Sequence, residues 1–211
     1  MINSHLRPAL ARALTPVGRV LARAGVSPDI VTVVGTLGVT VGALVFYPRG
    51  SFFVGTLICT AFVLADMLDG AIARAVGRTG KWGAFLDSTL DRVGDAAVFG
   101  GLLLWFAGEG RAPMLAGLTL FCMIAGVVVS YAKARAEGLG FCCDVGLVQR
   151  GERMFVALVA AGLAGLGVPY VLTVGLWVLA LASAFTIAQR FLEVRRQVRR
   201  AGEHAGGQAR S

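Results

Sequence analysis

Six apolar stretches of membrane-crossing length follow one another along this chain, at about 29–47, 52–75, 83–107, 113–136, 151–168 and 170–192. A helix rises about 1.5 Å per residue, so roughly 20 apolar residues cross a hydrocarbon core of about 30 Å. Composition agrees, with 56% hydrophobic and only 15% charged residues, where soluble domains average about 25% charged. The expected fold class is an all-α integral membrane protein of six transmembrane helices, preceded by an N-terminal amphipathic interfacial helix. No separate soluble domain fits.

Three regions are expected: a juxtamembrane segment at 1–27, a six-helix membrane domain at 28–194, and a basic flexible tail at 195–211. In the first, Leu6, Ala9, Leu10, Ala13, Leu14, Val17 and Leu21 recur at helical steps with arginines off the stripe, as in a helix lying in the interface. Arg7, Arg12, Arg19 and Arg23 break any signal-peptide core there. Ser27 or Asp29 can cap the first span, and Pro28 suits its first turn. Of the 20 Lys and Arg residues, Arg49 and Arg111 fall in turns on one side and the other 18 on or near the opposite side. The positive-inside rule therefore places both termini in the cytoplasm. The net charge of +8 points to anionic lipid rather than nucleic acid, because the basic residues flank apolar runs instead of forming an aromatic-interleaved polar face. Gly38 and Gly42 have GxxxG spacing, which reads as close packing inside one chain. The cysteines Cys59, Cys122, Cys142 and Cys143 lack metal spacing and read as reduced and structural.

Carboxylates inside a membrane are expensive and mark functional sites. Five of the 12 acidic residues, Asp66, Asp69, Asp87, Asp91 and Asp95, fall within thirty positions. Asp66 and Asp69 share a face near the end of the second span, and Asp87 and Asp91 share one near the start of the third. A short link makes these helices antiparallel, so four carboxylates converge at one depth. Divalent cations that prefer oxygen ligands would neutralise them. With His5 and His204 as the only histidines, Mg²⁺ is favoured over zinc, with Mn²⁺ as an alternative. Two ions could clamp a diphosphate during in-line displacement. Asp95, a turn deeper, reads instead as a buried ion pair with Arg74, Arg78, Lys81 or Arg92.

The run Asp66-x2-Asp69-Gly70-x2-Ala73-Arg74-x8-Gly83-x3-Asp87-x3-Asp91 resembles the signature of the CDP-alcohol phosphatidyltransferases at every specified position. The resemblance implies a membrane transferase that joins an alcohol to a CDP-activated lipid. It makes Asp66, Asp69, Asp87 and Asp91 the metal ligands and Asp91 also the catalytic base. It places CDP-diacylglycerol against Pro28, Asp29, Thr32, Gly70, Ala73, Arg74, Arg78 and Gly83. Small residues at 70 and 73 leave room for a flat cytosine, and Gly83 would let the third helix start close to the second.

A second constellation concerns the acceptor. Ser130, Lys133 and Arg135 end the fourth span, Arg150 and Arg153 begin the fifth, and Arg190 stands near the end of the sixth. Two basic clusters on the side of the aspartates suit a second anion. The stretch from Ser130 to Glu137, followed by Arg150-Gly-Glu-Arg153, is similar to actinobacterial members of the family whose acceptor is inositol phosphate. The expected reaction transfers the phosphatidyl group of CDP-diacylglycerol to inositol phosphate and releases CMP. A homodimer in the cell membrane, multi-pass and with its active site on the cytoplasmic side, is expected. Glycerol 3-phosphate is the alternative acceptor. A divalent-cation transporter fits less well, since spans four to six have apolar centres, and a metal-dependent ATPase is poorer still, because no GxxxxGK[ST] loop is present.

Overall fold

The computed structural model describes residues 27–76 and 80–208, and the side chains of 27–65 and 80–201. The expected N-terminal amphipathic helix, and the side chains of Asp66, Asp69, Gly70, Ala73, Arg74 and Arg78, lie outside the described residues. The described chain is all helical: α1 (Pro28–Phe46), α2 (Phe52–Val76), α3 (Lys81–Ala107), α4 (Pro113–Gly138), α5 (Arg150–Gly165) and α6 (Val171–Gln208).

Local chemistry sets the ends. At α1 the Ser27 Oγ accepts from the Ile30 N–H at 3.3 Å and Pro28 occupies the first turn, so Ser27 rather than Asp29 is the cap. A 3₁₀ turn, Tyr47–Arg49, follows α1 and closes on Gly50 at φ 70°. The end of α5 is reversed at Gly167, φ 87°, where its N–H reaches Ala164 O and the Val168 N–H reaches Leu163 O. This is a Schellman closure, which favours glycine at its left-handed position. It stops α5 short of the expected residue 168. At the opposite extreme α6 continues to Gln208, where a flexible tail was expected from 195. Val194 to Ala201 contain no glycine or proline, so nothing in that stretch breaks the helix.

The helices close into a ring in the order α1, α2, α5, α6, α4, α3, each packed against the next. Close approach of α1 and α2 rests on the GxxxG pair. A Cβ on Gly38 would lie 2.3 Å from the Phe62 ring, and one on Gly42 would lie 2.8 Å from Ile58. The motif therefore packs helices within the chain, as its spacing suggested. At one end of the ring Phe52 packs tilted against Tyr47 and edge-to-face against Trp105, and Gly165 lies against the Phe53 backbone. The acidic and basic clusters lie at the other end.

The bundle is apolar outside and polar in places within. Leu37, Leu57, Met114, Leu163 and Leu181 are exposed, while Thr119, Ser183, Thr186, Asp95, Arg153 and Arg190 are buried. An apolar exterior on this scale calls for a lipid solvent. Among the described residues three stretches are long and apolar enough to cross a membrane, Pro28–Arg49, Pro113–Gly138 and Val171–Ala201, and the part of α2 whose side chains are described, Phe52–Ala65, is apolar as well. The other two of the six expected spans differ for physical reasons. Helix α3 carries Lys81, Asp87, Asp91, Arg92 and Asp95 from its start to just past its midpoint, and α5 has only 16 residues, about 24 Å of helix.

Candidate active site

The polar end of the ring is built on the first turns of α3 and α5, the last turns of α4 and the later turns of α6. Helix periodicity puts Asp87, Asp91 and Asp95 on one stripe of α3. Burial grows along that stripe, with Asp87 partly exposed, the Asp91 side chain 14% exposed and Asp95 buried. Helix α5 brings two arginines to it. The Glu152 carboxylate accepts from the Gln149 N–H at 3.1 Å and so fixes the start of the helix. Arg150 Nη1 then lies 2.7 Å from Asp91, and its Nε lies 3.4 Å from Asp95. Arg153 Nη2 pairs with Asp95 in the buried interior.

Asp95 is thus the buried ion pair the sequence suggested, with a correction of partner. Of the four basic residues considered, neither described one holds it; Arg153 and Arg150 of α5 do. Room for Arg153 comes from Gly126 of α4, because a Cβ there would lie 2.8 Å from the Arg153 Cζ. One turn on, Ser130 donates to Gly126 O at 3.0 Å and accepts from Arg92 Nη1 at 3.3 Å. Arg92 and Asp95 therefore join the site, although the motif alone does not mark them. Their signal in the sequence was charge at apolar depth, and their partners sit 38 and 58 residues away.

The acceptor candidates separate into two groups. Arg150 and Arg153 pair with the α3 aspartates, and Ser130 with Arg92 of the same helix. Lys133 is tied to Asp144 and Glu137, and its hydrogen bond holds the Asp144 carboxyl below its ordinary value. Arg135 is exposed on the last turns of α4. Arg190 is buried and donates to two backbone carbonyls, Val145 O at 3.0 Å and Val129 O. With Thr186 accepting from the Val148 N–H at 3.2 Å and Gln197 bonding both the N–H and C=O of Cys142, it moors the loop 139–149 to α6.

Among the nucleotide candidates, Thr32 donates to Pro28 O at 3.1 Å within its own helix, and Asp29 accepts from Trp82 Nε1 at 3.2 Å across to α3. The second contact ties the start of α1 to the start of α3. A Cβ on Gly83 would meet nothing within 4 Å among the described residues; the side chains at the end of α2, the neighbour expected there, lie outside them.

The donor set suits a hard cation. Asp87 and Asp91 stand one turn apart, and Asp66 and Asp69 belong to the end of α2, the helix that leads into α3. Among the described residues no three His, Cys, Asp or Glu side chains meet; the side chains of Asp66 and Asp69 lie outside those residues. Oxygen donors without nitrogen or sulfur partners fit Mg²⁺ or Mn²⁺.

Comparison with known proteins decides the family. The pattern that describes the CDP-alcohol phosphatidyltransferases matches residues 25–188. The chain belongs to the CDP-alcohol phosphatidyltransferase family. This phosphatidyltransferase is 52% identical to the phosphatidylinositol phosphate synthase of Streptomyces avermitilis over 204 residues, 93% of this chain and 84% of the relative. It is 45% identical to the enzyme of that name from Mycolicibacterium smegmatis, over 92% of this chain and 90% of the relative. Its fold superposes on crystal structures of Mycobacterium tuberculosis phosphatidylinositol phosphate synthase. One has CDP-DAG bound (TM-score 0.84, 45% identity, 87% of this chain and 94% of that one). Another is in complex with manganese and citrate (TM-score 0.83, 44% identity, 86% and 88%). The phosphatidyltransferase is therefore an enzyme of phospholipid biosynthesis.

Proposed function

We propose that this phosphatidyltransferase moves the phosphatidyl group of CDP-diacylglycerol to inositol phosphate, giving phosphatidylinositol phosphate and CMP. The observation that carries the acceptor assignment is the 2.7 Å contact between Arg150 and Asp91, which joins the basic cluster to the aspartate motif. An anion held by Arg150 and its neighbours would lie beside the residue proposed to activate its hydroxyl. The names of the relatives support the same acceptor.

In this reaction an inositol hydroxyl oxygen forms a bond to the lipid-side phosphorus of the diphosphate. The bond from that phosphorus to the bridging oxygen breaks, CMP takes the electron pair, and Asp91 accepts the hydroxyl proton. Asp66, Asp69, Asp87 and Asp91 would hold divalent ions, which supply positive charge for the diphosphate. Gly70, Ala73, Arg74 and Arg78 of the motif, with Pro28, Asp29, Thr32 and Gly83, would border the CDP-lipid. Ser130, Lys133, Arg135, Arg150, Arg153 and Arg190 form the proposed acceptor end. All six helices would lie in the cell membrane, the charged start of α3 and the short α5 hidden in part by the others, and the site would open to the cytoplasm.

An acceptor screen tests this. The purified enzyme is given CDP-diacylglycerol, Mg²⁺ and, in parallel, inositol phosphate, free inositol or glycerol 3-phosphate, and the lipid product is resolved by mass spectrometry. The expected result is phosphatidylinositol phosphate with the highest kcat/KM and little product from free inositol. A higher kcat/KM with glycerol 3-phosphate would assign the enzyme to phosphatidylglycerol phosphate synthesis. Ion flux without CMP release would support a transporter instead.

A further inference from the structure

We propose that Asp95 is a positioning residue for the acceptor end of the site, acting through Arg153 and Arg150. The inference rests on the inositol phosphate reading above. Asp95 is not a member of the aspartate motif, and it stands about 6 Å of helix deeper than Asp91. It is buried, as is Arg153, which is 1% exposed. A carboxylate and a guanidinium at such depth form a costly pair to build. A pair serving only to join α3 to α5 would need one arginine.

Here one carboxylate faces two, and both are acceptor candidates. Arg153 contacts one Asp95 oxygen directly, while the other oxygen has Arg150 Nε at 3.4 Å. Neither of those last two atoms makes a hydrogen bond, although both are buried. Arg150 is therefore drawn to Asp95 by charge without being locked to it, and its Nη1 end stays free to meet Asp91. Behind the pair, Gly126 leaves the Arg153 guanidinium lying against α4 one turn before Ser130. The guanidinium is thus held between a carboxylate on α3 and a bare patch of α4. In charge the four groups balance, two carboxylates against two guanidinium ions. Engagement of Asp91 elsewhere leaves Asp95 against both arginines, a net positive charge facing the acceptor end. A phosphate dianion is the chemistry that charge suits.

The test compares Asp95→Asn with Gly126→Ala in the full-length enzyme. Asparagine keeps the shape and a hydrogen-bond acceptor but loses the charge. Alanine keeps every charge and displaces Arg153 from the opposite side, by moving the far end of a flexible side chain. Each is expected to raise KM for inositol phosphate by about tenfold, with KM for CDP-diacylglycerol changed less than twofold. The double variant Asp95→Asn/Arg153→Gln should have an inositol phosphate KM no worse than Arg153→Gln alone, because two residues acting as one unit are not additive. Multiplying effects, or parallel losses for both substrates with a lower Tm, would make Asp95 a merely structural pair. If Asp95→Asn does not fold, an unchanged acceptor KM in Gly126→Ala overturns the inference. Failure of the wild type to use inositol phosphate at all would instead sink the reading beneath it.

Discussion

Asp91 occupies the point where two demands on one carboxylate meet. As a proposed base it must be free to take a proton, yet the structure gives it Arg150 as a neighbour at 2.7 Å. A side chain only 14% exposed needs a partner, since an unpaired charge at that depth is costly. Arg150 fills the role while remaining 31% exposed itself, so it can be drawn toward an incoming anion. Asp91→Asn should therefore lower kcat at least about a hundredfold, the lower range for loss of a general base, while binding of CDP-diacylglycerol changes only a few-fold. Rates and titration calorimetry with the CDP-lipid check both halves. A near-normal rate would remove Asp91 as the base. Asp87 offers a contrast on the same stripe: as a proposed ligand without the base role, its alanine variant should weaken Mg²⁺-dependent nucleotide binding and turnover together.

Between helices the decisive contacts are made by what glycine lacks. Gly38 faces the Phe62 ring so closely that an added Cβ would lie 2.3 to 2.4 Å from three ring atoms. Alanine gains about 1 kcal/mol of helix propensity over glycine, but overpacking of a tight contact costs about 1–3 kcal/mol, and the atoms met are Cγ and both Cδ, the base of the ring rather than its far end. Gly38→Ala should lower the Tm in detergent. Gly117→Ala, where a Cβ meets nothing within 4 Å, should leave it unchanged or raise it. Equal effects at both positions would show that the α1–α2 seam has slack.

Element positions of this kind were legible beforehand because apolar length and capping residues are local properties. The first four helices begin and end within two residues of the expected bounds. The end of α5 depended on a backbone reversal at Gly167, and the extension of α6 on propensity past the apolar run. In the site, the α3 stripe Asp87–Asp91–Asp95 could be read from spacing alone. The pairing of Asp95 with Arg153, and of Arg92 with Ser130, could not, since ring closure rather than sequence distance makes those neighbours. Nor could the mooring role of Arg190, whose buried bonds to Val145 and Val129 carbonyls are set by where the loop 139–149 docks.

Across the whole molecule, the two ends of the ring differ in charge in the way that membrane orientation requires. The end with Tyr47, Phe52 and Trp105 carries Arg49 and Arg111 beside Glu109, whereas the other carries both site arginines of α5, the basic end of α4 and the arginines of late α6. By the positive-inside rule, the excess of Lys and Arg on that second end is what supports its proposed cytoplasmic placement. A native reporter stands on it: of four free cysteines, Cys142 is exposed while Cys59, Cys122 and Cys143 are buried. In intact cells a membrane-impermeant maleimide should leave Cys142 unlabelled until the membrane is permeabilised. In a Cys142→Ser background, Arg111→Cys should be labelled without permeabilisation, because it lies in the turn between α3 and α4 at the opposite end. Labelling of Cys142 from outside would invert the protein and put the aspartate stripe on the side away from cytoplasmic CDP-lipid. The two sites report on opposite ends of the same α4, so a single orientation must satisfy both, and labelling at neither would mean that access, rather than sidedness, limits the reagent.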